Sequence, residues 1–527
     1  MAIWLSISEI INYSRCYTLS SKNLEISQKN IMKYYFRYTV LFLSLIFFAS
    51  ACSVQKNPVS GNKRLMAYTW EEEIEIGQSV DKEIVAEYGV YNSPEISAYV
   101  DSLSQDVLAN SHMRREDTDA KFRNTEFYFK VLDSPVVNAF ALPGGYVYFT
   151  RGLMAHLNNE AQLSVVIGHE IGHVAARHAS QRALEQQVGQ LAVIGGAVLG
   201  QELFGLPGQS ILNLSSQAAQ LLFLSYSRDA ERESDRLGVE YSAMTGFTAA
   251  EGSEFFASLE RISEKSGQTI PTMMSTHPDP GEREERIPQL AEQWKERGYE
   301  QTIINKDRYM QMLDGMIFGD NPRNGFVEEG QFVHPDLEFQ FPVPEGWQTI
   351  NQQQQVVLVS PSEDAIVLFR IDSESESAQA SVQQFVSQEG ITVNSQTETQ
   401  SSGQFPAYQA NVTISQQEGN LRAIIYGVEF GGQIYRFINY TSESNFAGYQ
   451  EILTSIPARL DRLTDERLLN IQPVRIQLVR TDRSGTFSSF LPDELPMEIT
   501  PEDVAIVNQV QLNSTIDSGQ FLKIPVQ

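Results

Sequence analysis

The sequence predicts a multidomain chain: a mainly α-helical domain with a small β-sheet, then an α+β domain, then a small module of strand, two short helices and strand. Three observations predict it. The chain has 527 residues, and at roughly 100–200 residues per domain that implies three or four domains. Residues 69–295 carry apolar positions at helical spacing, interrupted by one strand–turn–strand stretch. From Phe339-Gln340-Phe341 onward the composition shifts to short runs of alternating apolar and polar residues, the pattern of half-buried strands.

Composition narrows the function classes. Apolar residues make up 42% of the chain and there are 28 Phe, ample for several cores. The formal charge is −27. The first 51 residues hold five Lys/Arg against two Asp/Glu, so the remainder carries −30. An acidic body of this size argues against nucleic acid as a partner. The two cysteines, Cys16 and Cys52, build no disulfide framework and no Cys-type zinc site. Any metal must therefore use His and carboxylate ligands.

Residues 1–31 show no clear period. Met32 opens a coherent order: basic Lys33 and Arg37, an apolar run from Val40 to Ala51 broken only by serines, then Ala49-Ser50-Ala51-Cys52. This is the layout of a secretory signal peptide over 32–51, with translation expected to start at Met32. Small residues ending in Cys resemble the lipobox of bacterial lipoproteins, although Ala49 stands where Leu is usual. That resemblance implies cleavage before Cys52 and lipidation of its thiol. A plain signal peptide followed by a free cysteine is the alternative.

Residues 52–68 read as a polar tether with Pro58 and Gly61. Thr69 to Tyr88 reads as an amphipathic helix, with Trp70, Ile74, Ile76, Val80, Ile84 and Val85 near one face. Its start, Glu71-Glu72-Glu73, complements the helix dipole. Residues 94–110 read as a second helix. Phe127, Phe129 and Val131 alternate as in a strand, and Pro143-Gly144-Gly145 marks a turn between two further strands. Such a hairpin can offer an edge to an extended peptide, or simply belong to the core.

The next helix starts near Asn159, a good cap, with Gln162 placed to complete a capping box. Leu163, Val166, Ile167, Ile171, Val174 and Ala175 supply its apolar face. It carries His169-Glu170-Ile171-Gly172-His173. Residues four apart on a helix sit one turn apart on the same side, so His169 and His173 present two imidazoles to one point. Glu170 stands beside the first, where a carboxylate can take a proton from water. Further on, Glu231 and Asp235 again share a face at four-residue spacing. Glu231 is the natural third ligand. Asp235 can accept the outer N–H of a ligand histidine, and Glu233 points elsewhere. Two histidines, one carboxylate and an open fourth position form a catalytic zinc pattern. Residues 188–206, apolar and Gly-rich, are interrupted by Gln190, Gln201 and Glu202, too polar for a membrane span. They read as a buried helix or a hairpin covering a site.

Four stretches in combination carry a resemblance: Asn57-Pro58-Val59-Ser60-Gly61, Val137 to Gly145, the HEIGH motif, and Ser227 to Gly238 (SRDAERESDRLG). Over residues 57–295 the chain resembles the zinc metallopeptidase family of the CAAX prenyl proteases, HtpX and BepA, in its soluble BepA-type branch. This implies a zincin fold of the gluzincin type, one Zn2+ per chain on His169, His173 and Glu231, and Glu170 as the catalytic residue. The family often has Ala before the final Asp; here Ser234 stands there.

Of the seven histidines, His112, His156, His178 and His334 have no metal-spaced partner and read as structural or surface. His277 differs. It lies in Ser275-Thr276-His277-Pro278-Asp279-Pro280, ahead of a helix that Asp279 would cap, with Pro280 at its first position and Glu282 reciprocating. The family carries a similar element. It implies that His277 approaches the zinc, as oxyanion support or as a gate in the open position; the alternative is a loop histidine that only packs. No GxSxG, Walker-type loop or GxGxxG is present, which leaves serine-hydrolase and nucleotide readings without support.

Residues 296–325 read as a connector with Gly315, Gly319 and Asn321-Pro322. Residues 326–465 read as an α+β domain, with strands at 356–360, 365–372, 405–414, 421–430 and 433–441 and helices at 376–388 and 444–456. In residues 470–527, Gly485-Thr486-Phe487, Val504 to Asn508 and Gly519 to Pro525 resemble a LysM module. That implies peptidoglycan contact, or a LysM-like fold serving as a protein contact. Asp482-Arg483-Ser484-Gly485 departs from the PGD usual in the first turn.

The resemblance implies a zinc endopeptidase of the bacterial cell envelope, periplasm-facing, anchored to the outer membrane through Cys52 and hydrolysing unfolded or mis-assembled envelope proteins. Two other functions fit the same residues: a zinc-containing chaperone or assembly factor with gated or incidental proteolysis, and a peptidoglycan-binding envelope scaffold.

Overall fold

The computed structural model describes residues 53–194, 221, 225–266, 277, 280–416, 419–496 and 498–527. The expected leader with Cys16 and Cys52, the apolar stretch beyond residue 194, and the proposed cap Asp279 lie outside the described residues. Among the described residues, 53–55 with 63–69 form one compact unit, and 56–62 with 70–527 form another. In the first, the chain runs through two short strands, β1 (Ser53–Lys56) and β2 (Lys63–Met66).

The larger unit opens with helices α1 (Trp70–Tyr88) and α2 (Pro94–Ala109). Ser93 caps α2 by accepting from the Ile96 amide, and Pro94 takes the first position, where no N–H is needed. A three-stranded sheet follows: β3 (Tyr128–Leu132), β4 (Ala139–Leu142) and β5 (Tyr146–Thr150). Its order is β3-β5-β4, with β3 parallel and β4 antiparallel to β5. The turn joining β4 to β5 holds Gly144 and Gly145 at φ +79° and +103°, a conformation side chains with a Cβ rarely adopt. β4 is an edge strand, as the hairpin reading allowed.

Helix α3 (Glu160–Ala176) carries the HEIGH motif, and all 17 of its residues are buried. The sequence showed one apolar face; the structure surrounds the helix instead. α2, β4, α5 (Arg228–Met244) and α6 (Gly252–Ser266) all pack on it. The Asn159 side chain accepts from the Gln162 amide at 2.8 Å. Gln162 does not close the expected box. Its Oε1 accepts instead from the Asn158 amide at 2.7 Å, because its amide group is drawn to Gln509. Helix α4 (His178–Ile194) follows directly, and α7 (Pro280–Glu296) packs on both α5 and α6. No described helix is long and apolar enough to cross a membrane.

Residues 296–325 hold a helix that was not expected, α8 (Lys306–Leu313). Tyr309 and Leu313 enter the same core as α3, and the Tyr309 hydroxyl donates to Met154 O at 2.8 Å. Beyond it come β6 (Phe326–Glu328), β7 (Gln331–His334) and β8 (Phe339–Pro342), then β9 (Gln348–Asn351), β10 (Gln355–Val359), β11 (Ala365–Ile371), α9 (Ala378–Val386), β12 (Ile391–Gln400), β13 (Pro406–Ile414), β14 (Leu421–Phe430), β15 (Gln433–Ser442), α10 (Phe446–Ala458) and β16 (Asp461–Arg462). The main sheet is antiparallel throughout, in the order β12-β13-β14-β15-β11-β10-β9. α9 shares a cluster with Ala423 and Ile425, whereas α10 shares one with Ile424 and Tyr426. Neighbouring residues of a strand face opposite ways, so the two helices cover opposite faces of the sheet.

The tail comprises β17 (Arg475–Arg480), β18 (Gly485–Thr486), a 3-10 turn at Phe487–Phe490, α11 (Pro501–Val507), β19 (Thr515–Ile516) and β20 (Phe521–Val526). β17 pairs with β20 over a small core of Phe487, Val504, Ala505, Ile516, Leu522 and Ile524. The first of the two expected helices is only the 3-10 turn. The module docks through buried groups. Lys523 Nζ donates to Ala155 O and Leu157 O at 2.5 and 2.9 Å, just before α3. Gln509 bridges His156 O and Gln162, and Asn158 donates to Asn508 O.

Candidate metal centre

Two helices bring the predicted residues together. Ser227 caps α5 by accepting from the Ala230 amide, which fixes the first turn on which Glu231 stands. α5 crosses α3 so closely that Glu231 faces the histidine pair. At the far end of α3, Asn57 donates to Ala176 O at 2.8 Å and accepts from the amides of Val59 and Ser60. This gives the Asn57-Pro58-Val59-Ser60 stretch a structural role: it ties off the motif helix.

Four side chains converge: His169, His173, Glu231 and His277, all buried, with one ligand atom of each within 4.8 Å of the others. His173 Nε2 lies 2.9 Å from His169 Nε2. His169 Nε2 lies 3.3 Å from His277 Nδ1 and 3.5 Å from Glu231 Oε2. His173 Nε2 is 3.4 Å from Glu231 Oε1, and His277 Nδ1 is 3.2 Å from both carboxylate oxygens. A tetrahedron with zinc–nitrogen bonds of about 2.0–2.1 Å has edges of about 3.3 Å. The five separations, 2.9–3.5 Å, lie near that figure. Two or three imidazoles and a carboxylate this close together fit a zinc ion, which His169, His173 and Glu231 would hold, with His277 Nδ1 beside them.

Around this centre, the His169 Nδ1 faces Asp235 Oδ1 at 3.0 Å, in the position expected of a residue that orients a ligand. The Glu170 carboxylate is buried and has no hydrogen-bond partner among the described residues. His277 Nε2 stands 3.8 Å from its Oε1. Burial pushes the Glu170 carboxyl above its ordinary range, against the pull of His277 and His169. Burial would do the same to Glu231, but the surrounding imidazoles, His277 foremost, hold it well below.

Three neighbours had no signal in the sequence. Arg283, on α7 and 3% exposed, donates from Nη2 to Glu231 Oε2 and from Nε to Asp235 Oδ2 at 3.0 Å. It lies in the charged run Glu282-Arg283-Glu284-Glu285-Arg286, which reads as a solvated face. The Tyr226 ring stacks on His173, with centroids 4.1 Å apart; one residue before the Ser227 cap, it had no spacing to mark it. His178, read as structural or surface, is buried with its ring against His173. His112 is buried elsewhere, on Tyr241, and His156 and His334 are partly buried.

Known proteins share this part of the chain. Residues 104–291 match peptidase family M48. This segment is similar to M48 peptidase domains. It contains every residue of the cluster and Arg283. The chain is 28% identical over 219 residues to the beta-barrel assembly-enhancing protease of Yersinia pestis, covering 40% of this chain and 42% of that one. It is 26% identical over 239 residues to the protein of the same name from Escherichia coli, covering 45% and 47%. Against the mitochondrial metalloendopeptidase OMA1 of Bos taurus it is 34% identical over 170 residues, covering 31% and 32%. The chain thus spans about half the length, or less, of the curated relatives it matches. The M48 segment and its donor set are of the zinc metallopeptidase type.

Proposed function

We propose that this protein is a zinc-dependent endopeptidase of the bacterial cell envelope that hydrolyses unfolded or mis-assembled proteins there. The observation that carries the chemistry is the convergence of His169, His173 and Glu231 beside the buried Glu170 carboxylate, which has no hydrogen-bond partner among the described residues. Zinc held by these residues supplies a Lewis acid for the scissile carbonyl. Glu170 takes a proton from the attacking water and returns it to the leaving amine, a role suited to a carboxyl raised by burial. Asp235 holds His169 in the tautomer that keeps Nε2 free. Edge strand β4, packed on α3, offers backbone groups to an extended substrate. The envelope setting draws on the printed names of the bacterial relatives, on the order of residues 32–52, and on the LysM-like tail, whose peptidoglycan contact and whose companion lipid anchor at Cys52 belong to the same proposal.

His277 favours a resting enzyme that is closed. Its Nδ1 lies against His169 and both Glu231 oxygens, where it would crowd a substrate oxygen, and its Nε2 approaches Glu170. On this reading hydrolysis requires His277 to leave. The test is cleavage of an unfolded model protein by the mature chain, with bound zinc measured. Glu170→Gln is expected to keep zinc and lose about 10²–10⁴-fold in rate. His277→Ala is expected to cleave faster than wild type. A slower His277→Ala would make that residue a transition-state group instead of a gate. Zinc bound by all variants with cleavage by none would favour an assembly factor over an enzyme.

A further inference from the structure

The two motif histidines are supported in different ways. His169 turns its outer nitrogen to a carboxylate, Asp235, which Arg283 holds in turn. His173 turns its outer nitrogen to a second imidazole. Its Nδ1 lies 3.1 Å from Nδ1 of His178, and His178 Nε2 lies 3.3 Å from Glu233 Oε2. His173 and His178 are buried, whereas the Glu233 side chain is 26% exposed. The line of contacts runs from the metal centre to the surface.

One proton placement fits both ring contacts of this line. His173 turns Nε2 toward the other ligands, so in a neutral ring its proton sits on Nδ1. That N–H donates to Nδ1 of His178. His178, accepting there, carries its own proton on Nε2 and donates it to the Glu233 carboxylate. Ser234 Oγ stands 3.3 Å from the same His178 Nδ1, a contact that Ala, common at this place in the family, cannot make.

The backbone is built to make this contact. Arg177 ends α3 at φ +60° and ψ +40°, the left-handed region that non-glycine residues rarely enter. Its guanidinium is buried and donates from Nε and Nη2 to Glu73 Oε1 at 2.9 and 2.6 Å. That single turn redirects the chain into α4, so that the first residue of α4, His178, folds back onto His173 with ring centroids 5.0 Å apart.

We propose that His178 and Glu233 are positioning residues for His173, a two-step relay that orients this ligand and strengthens its hold on the metal. The proposal rests on the metal-site reading above. The experiment measures zinc affinity by chelator competition on the full chain, for wild type, His178→Ala, His178→Asn, Glu233→Gln and the double variant His178→Asn/Glu233→Gln. His178→Ala is expected to weaken zinc binding about 10–100-fold, the usual cost of losing an outer partner of a ligand histidine. His178→Asn keeps an acceptor where Nδ1 was and is expected to recover most of that loss. Glu233→Gln is expected to weaken binding less, and its effect to vanish in the double variant, because the step it acts through is gone. Glu233 is partly exposed, so its variants remain informative even if His178→Ala fails to fold. Wild-type zinc affinity in both His178→Ala and Glu233→Gln would overturn the relay while leaving the metal site intact. No zinc binding by wild type would overturn the metal-site reading, and the relay with it.

Discussion

Gly168 and Gly238 meet backbone to backbone where α3 crosses α5. A Cβ on Gly168 would lie 2.8 Å from Gly238 O, and one on Gly238 would lie 2.8 Å from Val165 O and 2.9 Å from the His169 amide nitrogen. The crossing brings the carboxylate helix within reach of the histidine helix, so the spacing of the candidate ligands is set by the absence of two methyl groups. Gly168→Ala should force the helices apart, costing about 1–3 kcal/mol of stability and weakening zinc binding in parallel. Gly448→Ala, in helix α10 with nothing within 4 Å of the new Cβ, is the matched control and should leave zinc affinity unchanged. Thermal unfolding and zinc titration of both variants check this. Unchanged affinity in Gly168→Ala would show that another contact sets the spacing.

Arg283 is the shared cation of two buried carboxylates. Replacing it with Met leaves Glu231 and Asp235 without it, and breaking a buried pair in this way costs about 3–5 kcal/mol. Arg283→Met should therefore unfold at markedly lower temperature or denaturant than wild type. Arg283→Lys should be intermediate, because one ammonium cannot reproduce the forked contact with both acids. Denaturant unfolding of the three proteins gives the comparison.

His112 makes stability depend on pH. Its Nδ1 lies 2.8 Å from the Tyr241 hydroxyl, and its Nε2 lies 2.7 Å from Arg115 Nη1, which can only donate. The ring is thus held neutral. Burial first, then Arg115, lowers its pKa from 6.5 to about 4. In this window the unfolded chain binds the proton and the folded one does not. Stability is therefore full above pH 6.5, falls as pH drops, and levels off below about 4. The whole span is worth roughly 3 kcal/mol. His112→Asn should flatten this part of the profile, measured as unfolding free energy between pH 7 and 4. An unchanged slope would assign the acid lability to other groups.

Removing residues 470–527 should weaken the peptidase domain itself. The carbonyls of Ala155, His156 and Leu157 lose their donors, each at about 1–3 kcal/mol if left unmet, and the bonds of Gly315, Met316 and Phe318 to residues 474–476 go as well. A chain ending at 469 should melt below the full chain. An unchanged peptidase transition would mean that the tail is an appendage and that its docking carries no energy.

The motif residues were legible because helices impose a period. His169 with His173, and Glu231 with Asp235, each repeat at one turn, and each pair lands on one face. Helix α3 was readable as a helix, but its burial on all sides was not, since that depends on four partners distant in sequence. Arg283 was hidden by its setting: an arginine among four neighbouring charges looks solvated until packing buries it. His178 stands at no metal spacing, and its partner is the outer nitrogen of His173. In the sheet domain, β10, β11, β13, β14 and β15 alternate or run apolar and were found. β12, Ile391 to Gln400, is an edge strand exposed on nearly every residue, so its sequence has no buried face to betray it. α8 was missed because it spans only eight residues amid glycines that suggested a linker.

Lys523 also sets a schedule. It is made 366 residues after Leu157, whose carbonyl it secures at the foot of the motif helix. At about 5–20 residues per second, a ribosome needs roughly 20–70 s to cover that distance. For nearly all of that interval the nascent chain contains both motif histidines but lacks this donor at the foot of their helix. The foot of the motif helix therefore gains this donor only after that delay, which the order of the chain imposes.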